Sequence, residues 1–134
     1  MAVVDASVIV SALIPYDPNH SASQQWLNSI VGNPATVSAP TIILAEVASA
    51  LTRGHANPQL ATQIMNTLLG SKLITLVPVT TKLAESAAMV ASQYKIRGCD
   101  AIYVALAQML NEELITLDKQ QRERAKSVVR ARQP

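Results

Sequence analysis

A fold for this chain must find a place for four acids that stand inside or at the edge of its most apolar segments. Asp5 interrupts AVVDASVIVSALI, Glu46 interrupts TIILAEVASAL, Asp100 opens DAIYVALAQML and Asp118 closes ELITLD. The chain has nine Asp and Glu in all, so nearly half of its acids lie in such surroundings. An isolated carboxylate is costly to remove from water, and several held together raise one another's proton affinity unless a cation sits among them. A fold that gathers the four therefore calls for a hard divalent cation with oxygen ligands, such as Mg²⁺ or Mn²⁺. Taken singly, each acid also fits an ordinary role. Asp5, Asp100 and Asp118 stand where Asp caps a helix, and Glu46 suits an ion pair with an Arg on a helix surface. The set is harder to place that way, because Glu46 falls in mid-helix, where it has no capping role.

Short branched runs alternate with helical segments along the whole chain. Val3-Val4 reads as a buried strand ending at Asp5, and Ser7 to Ile14 as a helix stopped by Pro15. After a turn at Asp17-Pro18-Asn19, Ser21 to Val31 is helical, with Trp26 at packing spacing. Thr36 to Ala39 is a strand. Pro40 suits the first turn of a helix reaching Leu51, and Asn57-Pro58 opens another that ends near Gly70. Leu73 to Val77 is a strand, Thr81 to Tyr94 a helix, and Asp100 starts a helix reaching Leu110. Leu114 to Leu117 is a strand, Asp118 opens a short polar helix to Ala125, and Val128-Val129 is a last edge strand. This alternation is the mark of an α/β domain with a mainly parallel sheet. In such sheets the active crevice lies beyond the carboxyl ends of the strands. Asp5 and Asp118 stand at such ends, Asp100 at a helix start on the same side, and Glu46 on or beside the buried face of its helix. Residues 1–134 are expected to form one domain, with no repeat, linker or low-complexity segment.

Composition narrows the function further. Apolar residues make up 49% of the chain, with no Phe, one Trp and three Tyr. Small aliphatic side chains of this kind suit helices packed closely on a parallel sheet and offer few aromatic platforms for sugars. No apolar run is long enough to span a bilayer, and the strand-like run from Ala2 leaves no place for a charged leader. The single Cys99 excludes an internal disulfide and fits a reducing cytoplasm; it reads as a small buried hydrophobe. The four glycines are dispersed, so neither a dinucleotide fingerprint nor a phosphate loop is present. His20 and His55 lie in turn-like regions without a paired Ser or Cys. The net charge is +2, yet six of the eleven basic side chains fall from Lys119 onward. A basic end of this kind attracts a polyanion or forms a solvated helix and tail.

The segments VVDASVIVSAL, APTIILAEVASAL, CDAIYVALAQ and ELITLD resemble, in order and spacing, the PIN-domain ribonucleases, and within them the VapC-type toxins. The resemblance implies a three-layer fold with strand order 3-2-1-4-5 and a Mg²⁺- or Mn²⁺-dependent endoribonuclease. It implies Asp5, Glu46, Asp100 and Asp118 as the catalytic and metal-binding acids. Ser7 matches the small hydroxyl residue that follows the first acid in many members, where it would position metal water or a phosphate; a helix cap is its other role. Arg97, three residues before Asp100, would reach a phosphate at the site mouth. The implied partners are an RNA substrate and a cognate antitoxin. The apolar helices 58–69 and 81–94 offer surfaces for a homodimer, with core packing as their other role. One departure stands out. After Asp118 many toxins continue toward another Asp or Asn and an aromatic, whereas this chain has KQQRERA, which puts the nearby substrate contacts in question. Two other classes stay open: a non-catalytic binding module on the same fold, and a structure-specific DNA nuclease. Retention of all four acids weighs against the first. The short length, with no room for a DNA-clamping insertion, weighs against the second.

Overall fold

Val3 and Val4 have no exposed surface, because the strand they form is covered on both edges and both faces. This strand, β1 (Ala2–Val4), pairs in parallel with β2 (Val37–Pro40) on one edge and with β4 (Glu113–Ile115) on the other. Beyond them lie β3 (Thr75–Val77) and β5 (Ala131–Arg132), giving a five-stranded, all-parallel sheet in the order β3-β2-β1-β4-β5. The structure is a computed structural model that describes residues 1–33, 37–55 and 58–134. The expected strand start at Thr36 and helix start at Asn57 lie outside the described residues.

Seven helices flank the sheet among the described residues: α1 (Ala6–Leu13), α2 (His20–Ile30), α3 (Ile43–His55), α4 (Pro58–Gly70), α5 (Thr81–Tyr94), α6 (Gly98–Leu110) and α7 (Lys119–Ala125). The chain steps outward from β1 to β3, then crosses back to β4 on the far side of β1. Right-handed crossovers therefore put the α1–α4 group on one face and α5 with α6 on the other. The crevice of such a sheet lies where the winding reverses, at the carboxyl ends of β1 and β4. Tyr103, Val104, Leu106 and Ala107 on α6 are wholly buried and complete the core with Ile43, Val47, Leu114 and Ile115.

The architecture agrees with the expected α/β fold and strand order, and several local boundaries differ. Pro40 ends β2 instead of opening the next helix. The β1–β2 ladder stops at Ser38, and Thr41 N–H bonds the Val77 carbonyl at 2.9 Å. Alternation then turns the Pro40 nitrogen toward the side where no ladder continues, so its missing N–H leaves no gap. As α3 starts only at Ile43, Glu46 lies in its first turn and not in mid-helix. The α3 backbone also runs on through His55, expected in a turn. Val128-Val129 is not a strand: both N–H groups bond the Ala125 carbonyl, prolonging the end of α7. The edge strand forms at Ala131–Arg132, where Arg132 grips Glu113 through Nε and Nη2 at 3.0 and 2.8 Å. Cys99 is exposed, not buried. It falls in the first turn of α6, whose inward face begins at Ala101. No helix among the described residues is long and apolar enough to cross a membrane.

Candidate active site

Asp5 leaves β1 with extended backbone and caps α1, accepting from Ser7 N–H at 3.1 Å. Its capping role and its place at the crevice are thus one and the same. Asp5 Oδ2 also accepts from the Ser7 hydroxyl and lies 3.2 Å from Thr116 Oγ1. The carboxylate is 6% exposed. Burial pushes its pKa above the usual carboxylate range, the Ser7 hydrogen bonds pull it back, and the negative charge of Asp100 adds to the rise.

Glu46 reaches the same region from α3. Its partner is the Tyr103 hydroxyl, which donates to Oε2, instead of an Arg at the helix surface. Burial raises the Glu46 pKa, the Tyr103 bond opposes it, and the charges of Asp5 and Asp100 raise it further. Tyr103 responds in kind: burial and the adjacent Glu46 push its phenol well above its ordinary value.

Asp100 does not cap α6. That place belongs to Arg97, whose side chain makes no capping bond and instead turns to the acids. Arg97 Nε donates to Asp100 Oδ2 at 2.8 Å, and Nη2 to Asp118 Oδ2 at 2.9 Å. Burial raises the Asp100 pKa, Arg97 lowers it, and Asp118 raises it. Asp118 does cap its helix: Oδ1 accepts from Gln121 N–H at 2.9 Å. The charge of Asp100 thus bears on Asp5, those of Asp5 and Asp100 on Glu46, and that of Asp118 on Asp100, while Arg97 bridges Asp100 and Asp118.

A layer of buried groups behind these acids was not singled out from the sequence. Thr116 Oγ1 donates to Gln121 Oε1 at 2.6 Å and accepts from Asp118 N–H at 3.1 Å. Gln121, 2% exposed, also donates through Nε2 to the Asp100 carbonyl at 3.2 Å. Ser7 Oγ accepts from Leu117 N–H at 3.1 Å. Thr116 and Gln121 thus link the Asp5 carboxylate to the backbones of Asp118 and Asp100, and Ser7 joins Asp5 to Leu117. The KQQRERA segment accordingly supplies a scaffold residue, Gln121, where a substrate contact was in question. Tyr103 stood inside a recognised segment, but its hydroxyl partner lies 57 positions away and nothing local marks it.

The basic C-terminal residues are largely engaged within the fold. Arg132 and Arg130 face Glu113, Lys126 pairs with Glu123, Arg122 donates to the Thr116 carbonyl and Arg124 to the Lys95 carbonyl. Chemically, the pocket offers an all-oxygen donor set that favours a hard cation. Among the described residues no three His, Cys, Asp or Glu side chains stand as a ready-made metal group. In the arrangement seen, the positive charge between Asp100 and Asp118 is the Arg97 guanidinium.

The sequence profile of the PIN domain matches residues 2–127, and the chain belongs to that family. Its fold is shared with the Mycobacterium tuberculosis VapC20 sarcin–ricin loop cleaving toxin (TM-score 0.77, 18% identity, covering 90% of this chain and 92% of that one). It is shared likewise with FitAcB from Neisseria gonorrhoeae (0.75, 21%, 98% and 96%). A toxin–antitoxin complex from Klebsiella pneumoniae is a third neighbour (0.66, 20%, 90% and 89%). No curated protein matches the chain in sequence.

Proposed function

We propose that the chain, residues 1–134 acting as one unit, is a Mg²⁺- or Mn²⁺-dependent endoribonuclease and the toxin of a toxin–antitoxin pair. The observation that carries this is the linkage of Asp5, Asp100 and Asp118 through Thr116, Gln121 and Arg97, with Glu46 held by Tyr103, in a PIN-family chain. Carboxylates that raise one another's proton affinity are stabilised by a divalent cation, and an all-oxygen set selects a hard one. Asp5, Glu46, Asp100 and Asp118 would hold it. When bound, such a cation supplies Lewis acidity toward a phosphodiester and makes a coordinated water more acidic.

The chain's own residues would do the rest. Ser7 holds Asp5 in place through its N–H and hydroxyl. Tyr103 fixes Glu46 by Oε2, so Oε1 would accept the proton of a water that adds to phosphorus as the P–O bond to the leaving ester oxygen breaks, that oxygen taking a proton from solvent. Arg97, exposed at the pocket mouth, pairs with a substrate phosphate through its planar fork. An antitoxin is supported by the Klebsiella pneumoniae neighbour, and an RNA substrate by the sarcin–ricin loop cleaving activity of the Mycobacterium tuberculosis one. A homodimer would use the outer faces of α4 or α5, where Leu69 and Met89 are exposed. A cytoplasmic protein is the expected setting.

The test is digestion of RNA, single-stranded DNA and flap DNA side by side, in EDTA and after Mn²⁺ is restored. RNA alone should be cut, and only with metal. Cutting that survives EDTA would sink the mechanism, and preferential cutting of flap DNA would assign the chain to the DNA nucleases.

A further inference from the structure

We propose that Arg97 is a tethered counter-cation of the acid pocket: it bridges Asp100 and Asp118 when no divalent ion is bound and leaves them when one enters. The inference rests on the metal-dependent reading above and adds a competitor built into the chain. The guanidinium bonds two of the acids assigned to the ion, Asp100 at 2.8 Å and Asp118 at 2.9 Å. An arginine stays charged at all working pH values, so its departure is governed by cation competition and not by protonation.

The backbone under Arg97 is anchored while its side chain is not. Its carbonyl accepts from Ala101 N–H at 2.8 Å as α6 begins, and Arg124 ties the neighbouring Lys95 carbonyl to α7. The side chain, by contrast, is 69% exposed and has solvent to swing into. Asp100 and Asp118 are held from behind, Asp118 by Gln121 N–H and the Asp100 backbone by Gln121 Nε2. Releasing the guanidinium therefore leaves the Asp118 carboxylate held by Gln121 N–H and the Asp100 backbone fixed by Gln121 Nε2. A doubly charged ion outcompetes a singly charged one for the same oxygens. The displaced fork stays at the mouth of the pocket, where its geometry suits a phosphate. Loading of metal and readiness for substrate would then be one event. The cost is a lower apparent metal affinity, reduced by the fraction of molecules in which Arg97 is latched.

The experiment titrates MnCl₂ alone into the EDTA-treated, dialysed full chain by calorimetry, for the native protein and for Arg97→Gln and Arg97→Ala. Thermal melts of the metal-free proteins establish that each variant is folded. Both variants should bind Mn²⁺ about fivefold more tightly than the native chain, the scale of a partly exposed ion-pair network. Without metal they should melt at lower temperature, because Asp100 and Asp118 then face each other uncompensated. Binding by a variant but not by the native chain would support the latch most strongly. Equal or weaker binding by the variants would overturn it and leave the metal-dependent reading standing. Failure of every form to bind Mn²⁺ would overturn both.

Discussion

Replacing Asp5 with Asn should stabilise the metal-free protein while removing activity. Asp5 is nearly fully buried, and its pKa is raised even with the Ser7 and Thr116 contacts counted in. The ionised form is therefore penalised in the fold relative to the neutral form. Asn is neutral and keeps an acceptor for Ser7 N–H; its amide protons need new partners, which costs about 1 kcal/mol. A higher Tm than that of the native chain is expected, each kcal/mol of net gain moving it by roughly 3–5 °C in a chain of this size.

The sign with pH follows from linkage. Asp5, Glu46 and Asp100 all have folded pKa values above the unfolded ones. Between those values the native state binds more protons, so stability rises as pH falls through that window and is lost again as pH climbs through the folded values. The advantage of Asp5→Asn should thus be full at pH 7.5 and shrink on acidification toward the carboxylate range. Thermal melts in EDTA across this range measure both effects. A lower Tm for Asp5→Asn at neutral pH, or an advantage that grows on acidification, would refute the reasoning.

Tyr103→Phe leaves Glu46 Oε2 without its donor in a half-buried place and should cost about 1–2 kcal/mol, read by denaturant melts. It should also raise the pKa of Glu46, which the Tyr103 bond now lowers, moving the acidic limb of the cleavage profile to higher pH. Glu113→Gln breaks the two-pronged Arg132 contact that pins β5 and should cost about 0.5–1 kcal/mol. Arg132 holds Glu113 below its ordinary pKa, so this contribution is present above the unfolded value and lost as pH falls through the folded one. The difference between native and Glu113→Gln melts should accordingly vanish at low pH.

Four of the strands and the order of elements are legible because period and branching are local signals; the edge strand forms at Ala131–Arg132 and not at Val128-Val129. Val3-Val4 before Asp5, and Leu114 to Leu117 before Asp118, mark strands running into polar caps; the structure has the first within Ala2–Val4 and the second shifted to Glu113–Ile115. The boundary at Pro40 was misread because proline suits a helix start and a strand end equally. The deciding fact, a ladder that stops at Ser38, belongs to pairing and not to local sequence. That error also displaced Glu46 by a turn without moving it from its face, since Ile43 and Val47 still bury around it. The scaffold of Tyr103, Thr116 and Gln121 was invisible for another reason. Hydrogen bonds between distant elements leave no periodic trace, and a buried Gln in a polar helix looks like its exposed neighbours. Arg97 was placed near the mouth, yet its double contact with Asp100 and Asp118 required the fold.

The central claim is that Asp5, Glu46, Asp100 and Asp118 act as one metal-holding unit that cuts RNA. Its most direct test measures Mn²⁺ binding and RNA cleavage together, on the native chain and on Asp5→Asn, Glu46→Gln, Asp100→Asn and Asp118→Asn. The native chain should bind Mn²⁺ and cleave. Each variant should bind more weakly and lose cleavage by more than about a hundredfold, beyond what loss of an outer-shell partner causes. A native chain that cleaves equally well in EDTA, or variants that keep both binding and cleavage, would contradict the claim.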